Sequence, residues 1–433
     1  MVVFDVLPAI VRVAMVFLVV VLSIRRKLSL GNAFFLGALL LGLLFDMSAR
    51  SILKAALSSM IEAKTMALSL VVSLILVLSN SLESTGQMRR LLSSFRGLVR
   101  SVKVNMVVFP ALIGLLPMPG GAIFSAPMVR EIGQWGQLES DRMGFINYWF
   151  RHIWEYWWPL YPGVLLGTAL ADLKLWTYVA MMLPLTFVAV AFGSFSLRHL
   201  EASKENEDRN DLPPSLRSFA GELAPILIVI VLGLFLGFLL SHVNIGSSVS
   251  KELGLIVALL VAIGWVWITN GLDRFQIRKI VTNRHLIDMM YMVVSILVFK
   301  GMLENSHAVD AISAELRSLH LPLFLIVVVL PLIVGLVAGI TIAFVGSTFP
   351  IIIPLIYSFG EANHLYAYMM LAMTSGLMGV LLSPLHLCLL LTNQYFDITI
   401  RGAYRYLWMP CLAVFVFSVF YFYVLKGISS LVL

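Results

Sequence analysis

Between Asn147 and Pro159 the chain reads Asn-Tyr-Trp-Phe-Arg-His-Ile-Trp-Glu-Tyr-Trp-Trp-Pro, three ionisable groups in an aromatic, apolar run. Ionisable side chains are costly inside a membrane span and face partners or a polar cavity there. On a helix, Asn147, Arg151 and Glu155 follow at i, i+4 and i+8 and share one face, with His152 at its edge. Arg151 can hold a carboxylate through a two-pronged hydrogen-bonded pair. Glu155 or His152 can take up a proton. A competing reading is an Arg151–Glu155 pair that only locks the helix, with the tryptophans at the headgroup boundary. The cluster runs into Pro159, Pro162 and Gly163, which predict a broken helix over about 144–170.

A second polar group spans Thr374-Ser375-Gly376 to Ser383-Pro384-Leu385-His386. Its Gly376, Gly379 and Pro384 predict another interrupted helix over about 364–392, lined by Thr374, Ser375, Ser383 and His386. A core role for His386 and a packing role for the hydroxyls remain open. Two further stretches are crowded with helix breakers. The first is Leu116-Pro117-Met118-Pro119-Gly120-Gly121-Ala122, followed by Ser125 and Pro127. The second is Gly339-Ile340-Thr341, followed by Gly346-Ser347-Thr348 and Pro350. Both predict tips of helical hairpins, at 102–130 and 321–357, unless the breakers merely kink ordinary spans. A helix restarting after such a tip presents free N–H groups and a positive dipole end, a ready anion site. The expected substrate-binding set is Pro119, Gly120, Gly121, Ser125, Asn147 and Arg151 with Thr341, Gly346, Ser347, Thr348, Thr374, Ser375 and His386. His152 and Glu155 are the candidates for ion or proton coupling. Glu83 and Glu304 can bind a cation or only anchor helix ends, and Lys300 is expected to snorkel.

The elements that must position these groups are spans. Of 433 residues, 60% are hydrophobic and 12% charged, and the mean hydropathy is +0.96. No soluble core hides such an excess, and repeated runs reach the roughly 20 apolar residues that cross a bilayer. The composition predicts an all-α polytopic membrane protein; continuous apolar runs exclude a barrel, whose strands alternate. The net charge of +7 sits at segment ends, an orientation signal and not a nucleic-acid footprint. The run at 6–24 reads as a span, because Arg25-Arg26-Lys27 follows it where a cleaved leader would be preceded by charge. Cys388 and Cys411 give no metal spacing and no disulfide framework.

The chain also repeats itself. Shifted by 221 residues, 72–115 matches 293–336 without a gap at 13 of 44 positions, among them Glu83/Glu304, Arg96/Arg317, Pro110/Pro331 and Gly114/Gly335. Two halves follow, 1–196 and 219–433, joined by the hydrophilic stretch 197–218, expected to be a cytoplasmic linker. If both hairpins re-enter on one side, each half has about five crossings. An odd number makes the second half inverted. Sorted by that topology, 20 basic residues fall on the cytoplasmic side and 7 opposite, as the positive-inside rule requires. Both termini are then outside the cytoplasm, in a plasma or inner membrane.

The duplication, the tips Pro117–Ala122 and Gly339–Thr348, and the breaks at Pro159–Gly163 and Gly376–Pro384 resemble the ion transporter superfamily, over nearly the whole chain. That superfamily includes divalent-anion/sodium symporters and, more distantly, gluconate- and lactate-type permeases. The segment Phe150–Gly163 resembles an uncharacterised permease branch. The resemblance implies a homodimer, a scaffold and a mobile transport domain, elevator-like motion, and substrate held between hairpin tips and broken helices. The Ser-Asn-Thr signatures of the divalent-anion symporters are absent; Gly120-Gly121 with Ser125, and Gly346-Ser347-Thr348, stand nearest them.

The expected function is secondary active transport of a small organic anion coupled to H+ or Na+, with no nucleic-acid partner, no cofactor and no metal. A cation/proton antiporter shares the architecture but needs deep carboxylates, which are few. A membrane enzyme using His152 and Glu155 lacks HExxH spacing, a nucleophile elbow and a phosphate loop.

Overall fold

The computed structural model describes residues 7–99, 101–118, 120–198, 216–242 and 250–431. Pro119 and most of the stretch 197–218 lie outside the described residues. Among the described residues all regular structure is helical. The first half contains α1 (Ala9–Arg25), α2 (Leu30–Leu44), α3 (Ala49–Ile61), α4 (Ala63–Ser84), α5 (Gln87–Leu98), α6 (Val102–Gly114), α7 (Ala122–Trp135), α8 (Ser140–Arg151), α9 (Pro162–Leu170) and α10 (Leu175–Ser194). The second contains α11 (Leu216–His242), α12 (Ser250–Thr269), α13 (Arg274–Val281), α14 (Arg284–Asn305), α15 (Ala308–Ser318), α16 (Leu323–Ala338), α17 (Thr341–Ser358), α18 (Leu365–Leu381), α19 (Leu387–Phe396) and α20 (Ile400–Leu431).

Among the described residues, eight helical runs are long and apolar enough to cross a membrane. The exterior is apolar, with Phe187, Val231, Phe235 and Phe420 exposed, while Asn147, Arg151, His152 and Glu155 are buried. That inside-out distribution is what lipid demands. The chain is a membrane-embedded helical protein.

One pair of helices keeps the 221-residue shift in its bounds. α4 begins and ends at 63 and 84, α14 at 284 and 305. Gly86 (φ 69°) and His307 (φ 53°) then take the same left-handed turn into the amphipathic helices α5 and α15. The two sequence halves interleave in space. α4 packs on α12 and α14, α2 on α14, α7 on α19, and α17 on α9. The carboxylate of Glu315 on α15 reaches across to accept from the free N–H groups of Ala9 and Ile10, capping α1 at 2.5 and 2.8 Å.

Three expectations about breaks are corrected. The second hairpin turns only at Gly339–Ile340, with Gly339 left-handed (φ 65°). Gly346, Ser347, Thr348 and Pro350 lie inside α17, which runs on through two prolines, as membrane helices can when neighbours satisfy the freed groups. α18 likewise runs through Gly376 and Gly379 to Leu381, and its break is at Leu382–His386. These glycines are contact points: a Cβ on Gly379 would strike the Leu332 carbonyl of α16, and one on Gly335 would strike the Gly376 carbonyl. In the first half, α8 stops at Arg151, eight residues before Pro159. Arg151 and Glu155 therefore do not share one helix face.

Candidate functional site

The early end of α8 has a cause in the facing hairpin. The last carbonyls of α6 have no helical donors, and the aromatic run supplies them. Trp154 Nε1 donates to Ala111 O at 2.8 Å, Tyr161 Oη to Gly114 O at 2.7 Å and Trp158 Nε1 to Leu115 O at 2.8 Å. Trp157 Nε1 is bound to Thr186 Oγ1 at 2.7 Å. Trp154, Trp158 and Tyr161 thus cap the end of α6. Gly114 lies against the Arg151 carbonyl, where any Cβ would collide.

Arg151, 2% exposed, sits against the first hairpin tip. Its Nη2 donates to Met118 O at 2.7 Å and its Nη1 is 3.4 Å from His152 Nε2. Its bonds thus go to the tip and not to Glu155, and its buried Nε has no partner. Gly121 makes the room: a Cβ there would lie 2.5 Å from Nη2 and 2.9 Å from Nε. Asn147 ties the same tip to α19. Its Oδ1 accepts from Ser125 Oγ at 2.7 Å, and its Nδ2 donates to Ala122 O at 3.0 Å and Thr392 Oγ1 at 3.3 Å. Gly120 (φ 74°) brings the tip's backbone close to Leu391.

His152 and Glu155 occupy the turn after α8. His152 Nε2 is 3.9 Å from Glu155 Oε1, and Thr341, the first residue of α17, donates to Glu155 Oε2 at 3.3 Å. Gly163, in the first turn of α9, admits Thr341; a Cβ there would be 2.8 Å from Thr341 Cγ2. His386 stands immediately before α19. Its ring lies 4.9 Å from that of His152, and its Nδ1 is 2.7 Å from Tyr148 Oη. The amino ends of α7, α9, α17 and α19 therefore collect around Arg151, His152 and Glu155. Each end carries partial positive charge, and the buried Arg151 guanidinium adds to it. Such a place favours an anion.

Of the residues expected at the site, Gly120, Gly121, Ser125, Asn147, Arg151, His152, Glu155, Thr341 and His386 come together. Pro119 lies outside the described residues. Ser347 and Thr348 spend their hydroxyls on Ala343 O and Phe344 O, both at 2.8 Å, and Gly346 faces Ile296. Thr374 bonds Met370 O at 2.8 Å in its own helix, whereas Ser375 Oγ is buried without a partner. Lys300 pairs with Glu304 at 3.4 Å at a half-exposed helix end. Tyr148, Cys388 and Thr392 were missed. Tyr148 precedes His152 by one helical turn and Cys388 follows His386 by two residues, signals that become visible only once the two breaks are paired.

Fold and site define a membrane-embedded, all-helical protein with two hairpins, two broken helices and a buried charged centre between them. The chain belongs to the family described as protein of unknown function DUF401, which matches residues 9–425. No functionally curated protein matches it.

Proposed function

We propose that this protein is a secondary active transporter of a small organic anion, coupled to H+ or Na+. One observation carries the reading: four helix amino ends and an arginine with a free buried N–H meet at the junction of both hairpins and both helix breaks. That is the site geometry of carriers whose substrate binds at discontinuous helices near the midplane. The anion is held by Arg151 Nε and the backbone around Gly120–Gly121. Glu155, bonded to the second tip through Thr341, carries the coupling proton with His152 beside it.

The halves are inverted repeats, both termini lie outside the cytoplasm of a plasma or inner membrane, and a homodimer shifts its transport domains in elevator fashion, as the superfamily resemblance implies. The helix lengths fit re-entry of the first hairpin. α6 and α7 have 13 and 14 residues, or about 20 Å each, against roughly 30 Å of hydrocarbon. α17, with 18 residues, reaches a crossing length. A cleft of about 1100 Å³ flanks the second break at Leu382, Pro384 and Leu385 and carries Arg25, Lys27 and Arg405. It does not contain Arg151, but its charge suits an anion's approach to that break.

The test is a thermal-shift screen of organic acids on purified protein, with and without sodium and across pH. A saturable, ion-dependent stabilisation is expected in the wild type and its loss in folded Arg151→Ala. Equal affinity in that variant removes Arg151 from the site.

A further inference from the structure

His152, His386 and Cys388 lie on both sides of the pseudo-repeat, and one donor atom from each falls within 4.8 Å of the others. All three are buried. The two imidazoles are held in one tautomer by a single residue. His152 Nδ1 meets the backbone carbonyl of Tyr148 at 2.5 Å, and a carbonyl only accepts, so Nδ1 carries the proton. Tyr148 Oη donates its hydrogen to Leu381 O at 3.0 Å, so it accepts from His386 Nδ1 at 2.7 Å. Both rings then keep an unprotonated Nε2, and the Cys388 sulfur lies within 4.8 Å of a nitrogen of each ring. Fixing one ring nitrogen by a hydrogen bond so that the other can ligate is the usual support of a metal-bound histidine.

We propose that His152 Nε2, His386 Nε2 and Cys388 Sγ form a binding site for a borderline-soft divalent metal, zinc first. Two imidazoles and one thiolate are a three-ligand zinc set that leaves the fourth position open. Ligand atoms around a tetrahedral zinc stand roughly 3.3–3.6 Å apart, so three donors within 4.8 Å of one another must draw closer to close on the ion. Binding breaks the 3.4 Å contact of His152 Nε2 with Arg151 Nη1 and releases the Cys388 proton to solvent. Arg151 keeps its bond to Met118, and the Cys388 thiolate together with Glu155, 3.9 Å from His152 Nε2, offsets the added positive charge. Three protein ligands leave a fourth position, which a carboxylate oxygen of the proposed anion can fill. The site itself stands on its donors and does not require transport.

Cobalt(II) is the probe, because its thiolate complexes absorb. Untagged, full-length protein in detergent, titrated with Co2+ and then Zn2+, is expected to bind one equivalent per chain. A sulfur-to-cobalt charge-transfer band should appear with Co2+ and be displaced by Zn2+. Cys388→Ser should lose the band while Cys411→Ser keeps it, and Tyr148→Phe should weaken metal binding about 10- to 100-fold by freeing the His386 ring. Sub-stoichiometric uptake by the wild type, or a band that survives Cys388→Ser, overturns the proposal. Because wild-type binding is read directly, failure of a variant to fold does not shield it. An organic acid that stabilises metal-free protein leaves the transport reading standing whichever way the titration falls.

Discussion

At the scale of single residues, Arg151 is held by a hydrogen bond at one nitrogen and left open at another. Gly121→Ala tests that placement gently, because its backbone (φ −53°) tolerates alanine while the methyl would crowd Nη2 and Nε. The variant should fold, and its affinity for the stabilising organic acid should fall about 10- to 100-fold, the worth of a hydrogen bond to a charged group; a titration with unchanged affinity would place the anion elsewhere. Glu155→Gln fixes the neutral form of that side chain. Exchange of labelled substrate should persist in it, whereas accumulation driven by a pH gradient should vanish. Retained pH-driven accumulation assigns the proton to another group. The charged centre was legible in the sequence because ionisable residues stand out in an apolar run. Its partners were not: Tyr148 meets His386, and Asn147 meets Thr392, across more than two hundred residues. Nothing local in Cys388 sets it apart from Cys411.

At the scale of elements, breakers announced where irregular backbone falls, but packing decided which of them ends a helix. Pro350 and Pro354 sit within α17 without ending it, and α8 ends without any proline where Trp154, Trp158 and Tyr161 turn back onto α6. Trp158→Phe keeps an aromatic ring, though a smaller one, and removes the donor to Leu115 O. It should cost about 1–3 kcal/mol of stability, the price of a buried carbonyl left unpaired; an unchanged detergent melting temperature would contradict the capping role. Gly379→Ala drives a methyl into the backbone of α16 and should lower the melting temperature more than Gly427→Ala, which meets open space. Equal shifts would mean that α16 and α18 are free to part.

At the scale of the whole molecule, the duplication was readable because helix bounds and a few polar landmarks kept their spacing. The interleaving was not, since a shift of one sequence on itself says nothing about which half packs on which. Threading α7 against α19 and α17 against α9 builds the centre from both halves at once. Neither half alone contains it. The measurement closest to the central claim is counterflow in proteoliposomes preloaded with the organic acid that best stabilises the protein. Labelled acid should enter against no net gradient with wild-type protein and stay out with Arg151→Ala of equal reconstitution; uptake by Arg151→Ala at the wild-type rate, or none by the wild type with any stabilising acid, would contradict an anion carrier centred on Arg151.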